Sequence, residues 1–175
     1  KDIFTGSTGS PGPVVDYDYT PDGNGGVYFK AAENTALTDR ELCKSDGTTA
    51  GTILVKDIYP GTNTSELDGG TKTVINGILY FTASDPNFGK ELWRSDGTAA
   101  GTYMVKDIYP GNFLSSEAFI IGVAGNTIYL QATTPGYLRE LWKSDGTEAG
   151  TVLVKDIYPG VSGSGTPGNY PFFYS

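Results

Sequence analysis

Short apolar runs separated by clusters of Gly, Asn, Asp and Pro follow one another along the chain, a pattern typical of short strands joined by turns. Within residues 56–105 the predicted strands are 71–75, 78–84, 91–95 and 103–108. The matching strands further along are 118–123, 127–133, 140–144 and 152–157, and residues 1–55 give the same four with a longer first loop. No segment carries a sustained apolar stripe at helical spacing. The pattern predicts an all-β chain of four-stranded meanders.

One phrase recurs three times, and its copies start 50 and then 49 residues apart. It reads ELCKSDGTTAGTILVKDIYPG at 41–61, ELWRSDGTAAGTYMVKDIYPG at 91–111 and ELWKSDGTEAGTVLVKDIYPG at 140–160. Self-similarity at this period indicates a propeller, solenoid or array. Division before each KDI gives repeats 1–55, 56–105 and 106–154, and a partial repeat 155–175 that could complete a blade.

Apolar residues on both faces of the predicted strands indicate that each sheet is covered on both sides. Neighbouring strand residues point to opposite faces, yet Leu92 and Trp93 are both apolar, as are Leu141 and Trp142. Small sheets are covered in this way when they stack on one another as blades. The predicted fold is therefore a β-propeller-like array of about three and a half repeats. Cys43 stands where the other copies have Trp, which favours a smaller core residue over a reactive thiol.

The strings ELWRSDGT and ELWKSDGT, with ELCKSDGT as the variant at Cys43, resemble the ELWxxDGT repeat family of bacterial proteins. The resemblance covers all three repeats. It implies a large secreted or surface-attached protein with propeller-type repeats, and therefore an extracellular or cell-surface location. The family offers no catalytic residues to carry over.

The SDGT turn supplies repeated carboxylates, which are either structural or part of a site. An Asp side chain can accept hydrogen bonds from the backbone just ahead of it, and the following Gly tolerates positive φ, so a structural turn is favoured. The recurrent Lys-Asp pair of KDI is interpreted as an edge charge on the fourth strand that discourages aggregation. The turn residues are Asp46, Gly47, Asp96, Gly97, Asp145 and Gly146.

Two features outside the shared phrase could bind a ligand. Asp18, Thr20 and Asp22 have the spacing of a calcium loop, but Phe29 stands where that loop needs Glu, so calcium is a weak prediction and no other cofactor is expected. Loop aromatic residues could stack on sugar rings, and Asn63 lies in a glycosylation sequon. Those aromatic residues are Phe88, Phe113, Tyr137, Tyr59, Tyr109 and Tyr158.

Charge and composition narrow the function classes. The net charge of -8 disfavours nucleic acid and anionic membranes as partners, and no apolar run near 18 residues predicts membrane insertion. The absence of His and the single Cys exclude Cys/His zinc sites, His-based triads and an intrachain disulfide. Nothing distinguishes any repeated carboxylate as catalytic, so an enzyme is not expected. A propeller hydrolase is the less favoured alternative.

The ends of the array pose a physical problem, because about three blades are fewer than the four to eight of a usual propeller. Their apolar faces need cover from a longer parent chain, from a second copy that closes a ring, or from copies that form a filament. The opening KDI suggests a cut from a longer precursor, and segments 1–3 and 169–175 each offer part of a blade. The predicted function is a non-enzymatic structural or adhesive module with a glycan or surface protein as further ligand. The alternative is a carbohydrate-binding or calcium-dependent lectin.

Overall fold

The computed structural model describes residues 18–32, 40–61, 63–67 and 72–157. This part of the chain contains twelve strands and no helix, and so no helix long and apolar enough to cross a membrane. The strands are β1 Thr20–Pro21, β2 Val27–Ala32, β3 Arg40–Ser45, β4 Ile53–Lys56, β5 Thr73–Ile75, β6 Ile78–Asp85, β7 Gly89–Ser95, β8 Tyr103–Lys106, β9 Phe119–Ala124, β10 Thr127–Thr134, β11 Tyr137–Ser144 and β12 Val152–Lys155.

The strands form three four-stranded antiparallel meanders, each in simple chain order: β1 to β4, β5 to β8 and β9 to β12. We call them the first, second and third sheets. The prediction of an all-β chain built from four-stranded meanders is confirmed. The repeat boundaries cut each sheet one residue before its end, because β4, β8 and β12 finish on the Lys of KDI.

Strand ends differ from the predicted ones for two physical reasons. The second and third strands of a sheet run further than predicted because their hairpin keeps pairing up to the turn, as between Asp85 and Gly89. The fourth strands stop earlier, β8 at Lys106, because the amide of Ile108 turns away from the ladder and donates to the side chain of Glu91.

Apolar side chains pack between successive sheets in two clusters. In the first, one face of the first sheet, with Tyr28, Leu42 and Val55, meets the opposite face of the second sheet, with Phe81 and Trp93. The second cluster repeats this arrangement between the second and third sheets: Tyr80, Leu92 and Val105 meet Leu130 and Trp142. We call the surface that carries Val55 or Val105 the valine face and the surface that carries Trp93 or Trp142 the tryptophan face. The first and second sheets each present their valine face to the sheet that follows.

Cys43 and both tryptophans are buried core side chains. Trp93 and Trp142 lie on the tryptophan faces of the second and third sheets. Cys43 occupies the same place in the first sheet, where it packs with Phe29 and Ala31, is fully buried and forms no disulfide. A sealed thiol in an apolar setting acts as a small apolar residue.

Candidate functional site

Each SDGT turn is closed by the same set of hydrogen bonds. In the second sheet, Asp96 Oδ1 accepts from the backbone amide of Thr98 at 2.9 Å and from its hydroxyl at 2.7 Å. The Thr98 hydroxyl in turn accepts from the amide of Gly101. The bonds from Thr98, its hydroxyl first, lower the pKa of Asp96. Asp46 and Asp145 make the same bonds at the same distances.

Glycine is needed at two places in each turn. Gly97 has a φ of +87°, in the left-handed region, and its equivalents Gly47 and Gly146 have +86° and +88°. At Gly101 an added Cβ would overlap the carboxylate of Asp96. A side chain at either place would therefore strain the turn or displace the Asp carboxylate that closes it.

The turns also contact the preceding sheet, which the sequence did not predict. An added Cβ at Gly97 would lie 3.0 Å from the hydroxyl of Tyr28, and one at Gly146 would overlap the hydroxyl of Tyr80. Both tyrosines belong to the valine face of the sheet before. The turn of the first sheet is different: Gly47 is exposed and an added Cβ would meet nothing there.

Lys56 and Lys106 reach across to the next sheet. The ammonium group of Lys56 donates to the backbone carbonyl of Thr102 at 2.7 Å and lies 6.0 Å from the centre of the Trp93 ring. Lys106 repeats the bond one sheet later and donates to the carbonyl of Thr151 at 2.9 Å. The interpretation of these lysines as edge charges is therefore wrong, because their ammonium groups hold neighbouring sheets together.

The Glu of each ELW or ELC string is buried, and sequence reasoning missed its role. Oε2 of Glu91 accepts from the amide of Ile108 at 3.1 Å and from the hydroxyl of Ser116 at 2.7 Å. Oε1 accepts from the amide of Ser116 at 2.9 Å. Ile108 and Ser116 lie in the linker, residues 107–118, that leads to the third sheet. The carboxylate thus fixes the linker against the sheet that the chain is leaving.

The other two glutamates repeat this contact. Glu41 accepts from the amides of Ile58 at 2.7 Å and Tyr59 at 3.3 Å, and it also bonds to the side chain of Ser65. Glu140 accepts from the amide of Ile157 at 2.9 Å. A charged residue repeated in mid-strand beside the invariant Leu was the available signal, but apolar periodicity alone gives it no role.

The linkers then bond to the sheet that they enter. The carbonyl of Ser65 accepts from the amide of Ser84 at 2.6 Å, and the carbonyl of Ser116 accepts from the amide of Thr133 at 2.7 Å. Ser84 belongs to β6 and Thr133 to β10. Hydrogen bonds therefore run from the strand glutamate to the linker serine and from that serine to the next sheet.

Burial raises the pKa of Glu41 and of Glu91 to about 7. No cation faces either carboxylate in the bonds described above, and the nearby Asp57 and Asp107 add to the effect. The Ser116 hydroxyl can donate to an ionised Glu91 or accept from a protonated one, because a hydroxyl does both. The contact at Glu91 can therefore survive protonation.

These two carboxyls give a pH dependence of stability. An acid whose pKa is higher in the folded chain stabilises the fold while it is protonated. This contribution is fully present below the unfolded-state pKa of 4.5 and is lost as the pH rises through the folded-state pKa of about 7. We expect the melting temperature to fall from pH 5 to pH 8, a window that contains no histidine titration. Calorimetry of the double variant Glu41→Gln, Glu91→Gln should show a flatter dependence. Equal slopes for the variant and the parent would contradict this assignment.

Within the described residues, no sheet packs on the valine face of the third sheet. Val154 is 44% exposed, whereas its equivalents Val55 and Val105 are 4% and 5% exposed. Ile157 is 50% exposed, whereas Ile58 and Ile108 are each 2% exposed. The same face carries Tyr129 and Lys155 at the places where Tyr28 and Lys56 bind the second sheet. It therefore presents the side chains of a sheet-to-sheet contact without a described sheet against it.

The predicted calcium residues have other roles in the described residues. Asp22 Oδ1 accepts from the amides of Asn24 at 2.7 Å and Gly26 at 2.8 Å, which closes a turn. Asp18 forms an ion pair with Lys72, and Thr20 is buried in β1. Within the described ranges, no group of three His, Cys, Asp or Glu residues could hold a metal ion. Calcium binding at Asp18, Thr20 and Asp22 stays a prediction.

The structure brings two of the predicted loop aromatics together. The amide of Phe113 donates to the carbonyl of Asn87 at 2.8 Å, next to Phe88, and both rings are exposed. Tyr59 and Tyr109 are half-buried, and Asn63 is exposed. Tyr158 and segments 1–3 and 169–175 lie outside the described residues, as does the side chain of Tyr137.

No family model, curated protein or solved structure matches this chain. The resemblance to the ELWxxDGT repeats therefore rests on the repeated phrase and stays a prediction.

Proposed function

We propose that this chain is a non-enzymatic structural and interaction module of an extracellular or cell-surface protein. In this proposal its sheets are propeller-type blades, and its free valine face binds a blade of a second copy of the chain. The observation that carries the proposal is the exposure of Val154 and Ile157, whose equivalents are buried wherever another sheet follows.

The first sheet of the second copy offers the complementary surface. Between sheets within the chain, a valine-face tyrosine contacts the SDGT turn of the next sheet, as Tyr28 contacts the turn at Gly97. The turn at Gly47 is exposed and has no such contact among the described residues, so Tyr129 of one copy could take that place on another. Phe29, Ala31 and Cys43 of the first sheet are buried, so the proposed contact is argued from the exposed turn at Gly47 and the free valine face. Such a head-to-tail contact closes into a ring or grows into a filament.

The hydrogen bonds of the repeated carboxylates argue against a catalytic role. The repeated Asp carboxylates accept hydrogen bonds within their own turns, and the repeated Glu carboxylates accept them from the linkers. A general acid or base needs access to a substrate proton and a pKa near the working pH. The buried Glu carboxylates lack that access, and the bonds from Thr lower the pKa of each exposed Asp. We therefore propose a structural role for both sets of carboxylates.

Association should be lost when charge is placed on the free face. We expect Val154→Asp with Ile157→Asp to weaken self-association by roughly 100-fold or more, because burying an apolar side chain of this size contributes about 1.5–3 kcal/mol. Light scattering should give the parent a mass above 18.5 kDa that rises with concentration, and give the double variant 18.5 kDa.

Val152→Asp is the matched control. Val152 lies two residues from Val154 in β12, but its equivalents Ile53 and Tyr103 stay exposed although another sheet follows them. This variant should associate like the parent. An equal loss in both variants, or a parent that stays at 18.5 kDa at every concentration, would contradict the proposal.

A further inference from the structure

We propose that Phe88, Phe113 and Leu114 form a binding platform for a neutral oligosaccharide, separate from the free valine face. Phe113 is 78% exposed, and its sequence neighbour Leu114 is exposed as well. Phe88 is also exposed and follows Asn87, whose carbonyl accepts the hydrogen bond from the amide of Phe113. The platform joins the hairpin between β6 and β7 to the 107–118 linker.

The fold does not require apolar residues at this place. The preceding linker is one residue shorter, and its Thr64 corresponds to Ser115, because each hydroxyl donates to the carbonyl before the strand Glu and accepts from the amide two residues on. The polar Asn63 therefore stands where the longer linker has Leu114. The shorter linker makes the same connection through polar side chains. The two apolar side chains are therefore an addition to the repeat, and exposed apolar groups of this kind mark binding surfaces.

Hydrogen bonds hold the backbone of the platform in place before any ligand binds. Phe113 has a φ of +60°, a conformation uncommon for a residue with a bulky side chain, and its amide is tied to Asn87 at 2.8 Å. The carboxylate of Asp85 accepts from the amides of Asn87 and Phe88, which closes the hairpin. A rigid site loses less conformational entropy on binding than a mobile one.

The chemistry of the surroundings favours a neutral sugar. An aromatic ring can stack on the C–H face of a pyranose, while amides such as those of the exposed Asn87 and Asn112 can bond to its hydroxyls. The two loops carry Asp85, Asp107 and Glu117 against a single cation, Lys90, which disfavours sulfated or phosphorylated ligands. Three side chains fall short of the roughly 800 Å² per partner that a stable protein interface buries.

The test uses cellohexaose, laminarihexaose, xylohexaose and chitohexaose as neutral probes, with a heparin hexasaccharide as the charged probe, in calorimetric titrations. The parent should bind at least one neutral probe. Phe113→Asn with Leu114→Thr, which replaces both apolar side chains by polar ones, should weaken that binding by about tenfold or more. Its melting temperature should not fall, because Asn adopts positive φ readily.

Ile53→Thr is the matched control, since it removes an exposed apolar side chain from another surface. This variant should bind the sugar like the parent. The proposal is overturned if the parent binds none of the neutral probes, if it binds the heparin probe more tightly than all of them, or if the double variant binds as well as the parent. None of these results depends on self-association.

Discussion

Replacing Glu91 by alanine is expected to lower the free energy of unfolding by about 3 to 5 kcal/mol. The change leaves the amides of Ile108 and Ser116 without their acceptor in a buried place, whereas the hydroxyl of Ser116 keeps the carbonyl of Lys90 as an acceptor. Each buried group left without a hydrogen bond costs about 1–3 kcal/mol. Denaturant unfolding followed by Trp fluorescence measures the change.

Two further variants make this expectation specific. Glu140→Ala should cost less, because within the described residues one hydrogen bond reaches that carboxylate, from the amide of Ile157. Glu148→Ala removes an exposed carboxylate and should change the free energy of unfolding by less than about 0.5 kcal/mol. A cost below about 1 kcal/mol for Glu91→Ala would show that the glutamate does not hold the linker.

Trp93→Ala is expected to cost about 3 to 5 kcal/mol, the usual range for removing a large core side chain. The Trp93 ring is buried between the first and second sheets and lies under the ammonium group of Lys56. Its Nε1 is buried and has no hydrogen-bond partner within the described part of the chain. Trp93→Phe removes no hydrogen bond of that nitrogen and should therefore cost much less than Trp93→Ala.

Trp142→Ala provides the comparison one sheet later, with an expected cost in the same range. Trp142 is buried against the second sheet in the same way, and its Nε1 is likewise without a partner in the described residues. Thermal unfolding by circular dichroism is sufficient for this series. A loss below about 1 kcal/mol for both alanine variants would place the rings at a surface and contradict the stacking of the sheets.

Much of the fold could be predicted because the repeat fixes local structure several times over. The SDGT turn needs a carboxylate, a hydroxyl and two glycines at set places, so its sequence is nearly constant. Apolar residues on both faces, such as Leu92 beside Trp93, indicated sheets stacked on sheets. These inferences use only contacts within a strand or a turn, and such contacts are visible in sequence.

The bonds between sheets could not be predicted in the same way. Lys56 and Thr102 are 46 residues apart, and nothing in either residue type names the other as partner. Glu91 was missed because a charged residue in a strand is expected at a surface, whereas here the linker supplies its donors. The Lys and the Glu both recur in every repeat, and that recurrence was the sequence signal of a structural role.

The platform at Phe113 was only half visible in the sequence. The sequence indicated Phe88 and Phe113 as loop aromatic residues. Their two loops are brought together by the hydrogen bond between Phe113 and Asn87, which are 26 residues apart, and the sequence did not predict that bond. The uncovered valine face was predicted more directly. An open stack of sheets with apolar faces has ends, and Val154 and Ile157 lie on such a face, exposed in the described part of the chain.

Hydrogen exchange at low and high protein concentration, read by mass spectrometry, tests the central claim that the valine face of the third sheet binds another copy. We expect peptides covering residues 127–131 and 152–157 to gain protection as the concentration rises. Peptides from 103–108, which the third sheet already covers, should not change. Protection that is independent of concentration at 152–157 would contradict the account.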